Sequence, residues 1–315
     1  MNDPGPNTDQ STRPADSPVP DFTAADQPSY ALTLFFGPDG LRSGWGLAFY
    51  FGTFYVLQQL ASVLAWSRDF GASGLWSALL EEFGMLVSAL VPSFVLARVE
   101  RRPWSVYGLP FARTLGKLFC QGVIWGFASI SLLLFALYGL HHFSFGHLVL
   151  HGARIAKFAA FWALMFLLVG LFEEFLLRGY AQFTLARGLG FWPAALILSG
   201  VFGAIHLRNP GEQWPGVLAV IAIGFFFCLT LQRTGNLWFA VGFHAAWDWG
   251  ETFFYSVPDS GMMGPGHLLS SSLSGPDWIS GGTVGPEGSL VCFIVMALAW
   301  LAFDRVYPRR DVAAH

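Results

Sequence analysis

Three ionisable side chains, Glu173, Glu174 and Arg178, interrupt an apolar run that covers residues 156–180. On insertion scales, a charge at the centre of a bilayer costs roughly 2.5–3.5 kcal/mol, so each charge needs a partner or a chemical task. Glu174 and Arg178 are four residues apart, which places them one above the other on a helix and allows an ion pair. Glu173 points about 100° away, onto a face without a local cation. Glu173 is therefore the first candidate for acid–base chemistry.

Two histidines and a further carboxylate lie within other apolar runs. His206 follows Phe202-Gly-Ala-Ile, and His244 is followed four residues later by Asp248. Because His244 and Asp248 share one helix face, the carboxylate can accept a hydrogen bond from the imidazole and fix its tautomer. A single histidine in such a helix is usually hydrogen-bonded across helices, so the functional interpretation depends on the whole set.

The spacing of these residues predicts that they meet. Glu173 and His206 are equidistant from a glycine-containing turn at residues 188–191, so on an antiparallel helical hairpin they lie at the same depth. The helix that carries His244 enters the membrane from the side of that turn, near residue 235. We therefore expect Glu173, His206 and His244 to lie at one level, on the cytoplasmic side of the membrane midplane.

The composition is that of a membrane protein. Of the 315 residues, 54% are hydrophobic and 12% are charged, whereas a soluble domain has roughly 25% charged residues. The net charge is −3, and the 17 Lys and Arg residues are spread over short loops. They form no continuous basic surface, which argues against a nucleic-acid partner and leaves the lipid bilayer as the predicted surrounding.

Apolar runs long enough to cross about 30 Å of hydrocarbon recur along the chain. We predict an all-α, polytopic fold over residues 40–308, preceded by a disordered tail over residues 1–30. The expected spans are 45–66, 75–97, 117–140, 156–180, 191–208, 214–232, 235–255 and 288–306. With both termini cytoplasmic, most Lys and Arg residues fall on the cytoplasmic side, which predicts a multi-pass protein of the cell membrane in this orientation.

Taken in order, the three patterns resemble those of a known protease family. They are Glu-Glu-x-x-x-Arg from Glu173, Phe-x-x-x-His ending at His206, and His-x-x-x-Asp from His244. Each pattern alone is weak, but the ordered set on three apolar helices resembles the CAAX-protease and bacteriocin-processing family (CPBP, also called ABI). Its eukaryotic members are the type II CAAX prenyl endopeptidases. The motif core covers residues 171–250.

The resemblance implies an intramembrane endopeptidase that hydrolyses membrane-associated proteins or peptides. The implied catalytic set is Glu173, Glu174, Arg178, His206, His244 and Asp248. Glu173, helped by His206, would take a proton from water, and His244 would stabilise the oxyanion. Many family members have Asn at the position of Asp248. Since an ionised Asp accepts hydrogen bonds but does not donate them, we expect Asp248 to orient His244.

A metal-dependent variant of this chemistry is also open. Glu173, His206 and His244 resemble the His₂Glu set of catalytic zinc sites, in which a fourth position stays free for water. The sequence has no His-Glu-x-x-His motif, and a metal-free glutamate mechanism has also been argued for the family. The sequence therefore leaves both interpretations open and indicates no other cofactor.

Functions without proteolysis use the same residues differently. A membrane scaffold or immunity factor would need no chemistry at Glu173, and a proton-coupled transporter would use the acids and histidines as a relay. Transporters often contain inverted repeats, and the two halves of this sequence show no internal repetition. The protease is therefore the leading hypothesis.

Two further segments lie outside the motif core. Glu81 and Glu82 repeat the acid pair but lack the following arginine, so we expect them at the membrane interface. The Gly-, Ser- and Pro-rich segment 256–287 contains no Lys or Arg and is predicted to lie on the outer side, with a loose connector favoured over a lid.

Overall fold

The computed structural model describes residues 30–37, 40–67, 74–209 and 211–309. Apart from Tyr30, the predicted disordered tail lies outside these residues. The α-helices are α1 (Tyr30–Phe35), α2 (Ser43–Ser67), α3 (Leu75–Val99), α4 (Lys117–Gly139), α5 (Ala153–Leu176), α6 (Gln182–Leu189), α7 (Phe191–His206), α8 (Trp214–Thr234), α9 (Trp238–Asp248), α10 (Asp277–Ser280) and α11 (Leu290–Val306). Two short antiparallel ladders pair β1 (Phe36–Gly37) with β2 (Gly40–Leu41) and β3 (Phe143–Ser144) with β4 (Ser272–Leu273).

The predicted all-α membrane fold is confirmed, and each of the eight predicted spans contains a helix. Four helical stretches are long and apolar enough to cross a bilayer: Leu75–Val99, Lys117–Gly139, Ala153–Leu189 and Trp214–Thr234. Helices α7 and α11 have 16 and 17 residues, fewer than the roughly 20 that a bilayer core requires. The count of eight spans therefore stays a prediction.

The helical hairpin expected around residues 188–191 is present. Helix α5 continues through a π-helical segment into α6, so residues 153–189 form one helical stretch of 37 residues. Gly190, with a φ of 85°, separates this stretch from α7. The helices run up to the turn on both sides, as the depth argument for Glu173 and His206 requires.

Helix α9, which carries His244, packs closely against α4. Gly122 and Gly126 of α4 face the backbone of α9, and Gly242 of α9 faces the backbone of α4. A Cβ atom on Gly126 would overlap the carbonyl oxygen of Phe243. Small residues that let helix backbones approach in this way are typical of membrane helix pairs. The α4–α9 contact therefore fixes the position of the helix that carries two residues of the site.

Both helices that carry acid residues of the site change to π-helix directly after them. Leu177–Ala181 is π-helical after α5, and Trp249–Tyr255 is π-helical after α9. In the first segment Gly179 leaves the helical region, with a ψ of −117°. Such π-helical turns are rare and occur frequently at functional sites. No pattern in the sequence predicted them.

The segment 256–287 is folded rather than loose, so the predicted connector is wrong. Strand β4 pairs with β3, and the amide of Val149 donates to the carbonyl of Leu268 at 2.9 Å. The amide of Gly261 donates to the carbonyl of Val284 at 2.7 Å. Composition alone indicated a flexible loop, but backbone groups of this segment find partners in the 140–152 loop and within the segment itself.

Candidate active site

Three carboxylates converge on the imidazole of His244. Nδ1 of His244 lies 3.1 Å from Oε1 of Glu174. Nε2 lies 3.6 Å from Oε2 of Glu173 and 3.4 Å from Oδ2 of Asp248. Glu173 and Glu174 come from α5, whereas Asp248 is one turn further along α9. Both ring nitrogens face carboxylate oxygens, and the doubly protonated imidazolium, which has two N–H donors, suits this arrangement.

The predicted pair of Glu174 and Arg178 is present and completely buried. Nη1 of Arg178 lies 3.4 Å from Oε1 of Glu174, and neither side chain is exposed. The guanidinium also lies over the ring of Phe202 on α7, 4.3 Å from its centroid. Gly224 on α8 leaves the space that the guanidinium occupies. The same Glu174 oxygen therefore holds both Arg178 and His244, a double role that the sequence did not predict.

Glu173 is the most accessible acid of the cluster. Its side chain is 24% exposed, compared with 9% for Asp248 and 0% for Glu174. Glu82, which the sequence excluded from the site, lies on α3 close enough to interact electrostatically with Glu173. A fourth carboxylate therefore lies within electrostatic range of Glu173. The available signal for it was the second acid pair in the sequence.

His206 is hydrogen-bonded within its own helix rather than to His244 or Glu173. Its Nδ1 donates to the carbonyl oxygen of Phe202 at 2.9 Å, which leaves the lone pair of Nε2 free. Arg178, one turn after Glu174, contacts Phe202, one turn before His206. This contact agrees with the predicted common depth. Within the described chain, however, no hydrogen bond or ion pair joins His206 to the acid–histidine cluster.

The zinc ligand set left open by the sequence does not fit this arrangement. Across residues 30–37, 40–67, 74–209 and 211–309, Glu251, Asp259 and Glu287 are the three potential metal ligands found within 4.8 Å of one another. Glu173, His206 and His244 do not form such a group.

A second group of acids lies beyond the far end of α9. Glu251 is in the π-helical segment, Asp259 follows it and Glu287 precedes α11. Burial, reinforced by Asp248 and Glu287, raises the pKa of Asp259 well above its ordinary range. Sequence reasoning missed this group, although three acids in or beside a segment without Lys or Arg were a visible signal.

Glu212 adds one more acid at this end of the bundle. It precedes α8, and its Oε1 accepts a hydrogen bond from the amide of Gln213 at 3.0 Å. Burial raises the pKa of Glu212, while the Gln213 amide opposes this effect; Glu287 and His206 have smaller effects of opposite sign. Glu212 is thus within electrostatic range of both His206 and Glu287, which sequence spacing did not predict.

A mostly apolar cavity opens beside the acid–histidine cluster, between α8, α9 and α11. Its polar lining comes from His244, Asp248 and Glu287, and the remainder is apolar or aromatic, including Phe227 and Trp247. The ring of Phe227 stacks on that of His244 with centroids 5.8 Å apart. Apolar cavities with a few convergent polar groups are typical of binding sites. His244 and Asp248 therefore lie on the wall of a small, mostly apolar cavity.

The fold and the site define a multi-pass membrane protein with an acid–histidine cluster buried among its helices. Residues 155–250 match the family model described as type II CAAX prenyl endopeptidase Rce1-like. This match contains all three motifs and confirms the resemblance to the CAAX protease family. At the level of the family it supports a membrane-embedded CAAX endopeptidase. A search of curated proteins gives no match.

Proposed function

We propose that this protein is an intramembrane endopeptidase that cleaves membrane-associated proteins or peptides with an activated water molecule. The observation that carries the proposal is the convergence of Glu173, Glu174 and Asp248 on His244, at 3.6, 3.1 and 3.4 Å. The family match of residues 155–250 supports the reaction class. The choice of acting residues rests on the geometry.

Glu173 is the proposed general base. It is the most exposed of the acids around His244 and makes no ion pair with a Lys or Arg among the described residues. A water molecule that donates to Glu173 would stand next to Nε2 of His244, which is 3.6 Å from the carboxylate. His206, with its free Nε2, would help to hold the water from α7. Positioned acid–base groups of this kind contribute about 10²–10⁴-fold to the rate.

His244 is the proposed oxyanion donor. Glu173 takes a proton from water, and the oxygen of the water attacks the carbonyl carbon of the scissile peptide bond. The negative charge that develops on the carbonyl oxygen accepts a hydrogen bond from Nε2–H of His244. The proton held by Glu173 then passes to the leaving nitrogen as the C–N bond breaks, giving a free amine and a carboxylic acid.

The other residues of the first and third motifs act on His244 rather than on the substrate. Glu174 accepts from Nδ1, which sets the ring plane and directs Nε2 toward Glu173. Asp248, 3.4 Å from Nε2, supports the imidazolium form. Arg178 neutralises Glu174 in a site that water does not reach. These three are positioning residues.

The cavity between α8, α9 and α11 is the proposed binding site for the substrate. Its apolar lining suits a membrane-embedded peptide segment, and His244 and Asp248 lie on its wall.

The test is cleavage in membranes that contain wild-type protein or the Glu173→Gln variant, scored as new C termini by mass spectrometry. We expect these termini to disappear in Glu173→Gln and in His244→Ala while the inserted, folded protein is retained. Glu81→Gln, at an exposed acid of α3, is the matched control and should cleave normally. Full activity of Glu173→Gln would refute the mechanism. A wild-type protein that produces no new C termini would instead favour a scaffold. Loss of activity on chelation with recovery by zinc would instead support the metal-dependent alternative.

A further inference from the structure

The second acid group joins three separate parts of the chain. Glu251 belongs to the π-helical continuation of α9, Asp259 to the following turn, and Glu287 to the 3₁₀ turn Pro286–Gly288 before α11. One carboxylate oxygen of each lies within 4.8 Å of the others. Oxygen ligands of Ca²⁺ lie at roughly 2.3–2.6 Å from the ion, so two ligands can be separated by up to about twice that distance. The spacing therefore fits a single bound cation.

Glu251 is the carboxylate of this group whose oxygens lack hydrogen-bond partners among the described residues. It is 0% exposed, and neither of its carboxylate oxygens accepts a hydrogen bond within the described residues. The neighbouring indole of Trp247 donates instead to Oε1 of Glu287, at 3.1 Å. A buried carboxylate without donors is costly unless a cation or a proton neutralises it.

Among the described residues, the surroundings of the group supply neutral hydrogen-bond donors but no Lys or Arg ion pair. Asp259 accepts from the hydroxyl of Thr252 at 3.1 Å. Glu287 accepts from the hydroxyl and the amide of Ser260, at 3.1 and 3.3 Å. In the described part of the chain, no Lys or Arg forms an ion pair with any of the three acids. These neutral donors orient two of the carboxylates, so a bound cation or protons must supply the remaining compensation.

We propose that Glu251, Asp259 and Glu287 bind a hard divalent cation, Ca²⁺ or Mg²⁺. Carboxylate oxygens are the ligands that these ions prefer, whereas zinc sites are usually built from His and Cys, which this group lacks. The ion would tie the end of α9 to the start of α11 through the turn at Asp259. Because Glu287 also lines the cavity beside His244 and Asp248, the bound cation would stiffen one wall of that cavity. This site does not depend on the proposed proteolysis.

Binding of Ca²⁺ and Mg²⁺ to the full-length protein, stripped with EDTA in detergent micelles, tests the proposal. Calorimetry and equilibrium dialysis should give one ion per chain, at or below the millimolar range of extracellular Ca²⁺ modules. Thermal unfolding should shift to higher temperature when the ion is added, because the ion binds the folded state. Glu251→Gln should abolish both effects. In EDTA its unfolding temperature should equal or exceed that of the wild type, since one uncompensated charge is removed.

Two controls separate this site from its surroundings. Asp277→Asn, at an exposed acid of the same folded segment, should bind the ion normally. Glu173→Gln should also bind it, which distinguishes the cation site from the proposed catalytic residues. If the wild type binds neither ion at millimolar concentration, the carboxyls hold protons instead and the proposal is overturned. Unchanged binding by Glu251→Gln would overturn it as well.

Discussion

Removing the charge of Glu174 should destabilise the protein more than removing the charge of its partner. Glu174→Gln keeps the shape of the side chain but leaves the guanidinium of Arg178, which is fully buried, without a counter-charge. Breaking a buried ion pair at one partner typically costs about 3–5 kcal/mol. Nη2 and Nε of Arg178 already lack hydrogen-bond partners among the described residues, and the neighbouring Phe202 ring and Cys228 thiol carry no counter-charge. We expect a loss of this size in the free energy of unfolding.

Arg178→Met should cost less, because Glu174 keeps a second partner in His244, 3.1 Å away. The double variant Glu174→Gln/Arg178→Met removes both buried charges and should be more stable than Glu174→Gln alone. Reversible unfolding in mixed micelles, followed by tryptophan fluorescence, measures all three. The proteolytic activity of Glu174→Gln should also fall, since Nδ1 of His244 loses the acceptor that orients the ring.

Two results would refute this reasoning. If Glu174→Gln is as stable as the wild type, the buried pair does not neutralise Arg178 in the way the geometry indicates. If the double variant is as unstable as the sum of the two single variants, Glu174 and Arg178 act independently. In a double-mutant cycle, residues in contact are expected to show a coupling free energy of about 0.5–3 kcal/mol.

Two further substitutions, the first with a control on the same helix, test other parts of the structure. Gly126→Leu should separate α4 from α9 and lower both stability and cleavage, because even a Cβ at this position overlaps the carbonyl oxygen of Phe243. Gly139→Ala, on the same helix, should be tolerated because no atom lies within 4 Å of the position that its Cβ would take. Equal stability and equal cleavage for the two variants would contradict the close packing of α4 on α9. Asp248→Asn should lower the kcat for peptide cleavage, because the imidazolium of His244 loses a counter-charge that lies 3.4 Å away. A rise in activity would instead indicate that residue 248 donates a hydrogen bond to the oxyanion.

The parts of the site that could be predicted from the sequence are those set by spacing along one helix. The pairs Glu174–Arg178 and His244–Asp248 follow from i, i+4 neighbours, and both are present. The hairpin turn at Gly190 followed from symmetry of the spacing and is also present. These features depend on local geometry, which the order of residues determines.

Contacts between helices could not be predicted in the same way. The bond between Glu174 and His244 depends on how α5 rotates against α9, which is set by close packing of α9 on α4 and α5 rather than by any pattern within α5. Glu82 was set aside because it lacks a following arginine, yet its position on α3 places it near Glu173. The folded segment 256–287 was missed because Gly, Ser and Pro indicate turns but not the partners of those turns.

The break at Gly179 explains how one long helical stretch contacts α9 with its first half and the end of α3 with its second half. Before the break, Glu174 faces α9 through His244. After it, the hydroxyl of Tyr180 donates to Glu100 at 2.7 Å, and Arg187 lies 3.4 Å from the same carboxylate, beyond the end of α3. A Cβ on Gly179 would come within 2.8 Å of the ring of Phe175, so the change of direction requires a glycine there.

Without the π-helical turn, the polar side chains before and after Gly179 would point in the directions set by one continuous α-helix of 3.6 residues per turn. The extra residue in the turn rotates the second half relative to the first. Glu100, which pairs with Arg102 and Arg187, then holds the α6 end of the stretch. The α5 end is held by the contact between Glu174 and His244. The acid–histidine cluster is thus held at a fixed rotation by contacts about two helical turns away, which accounts for a buried charge cluster of defined geometry in a bundle of otherwise apolar helices.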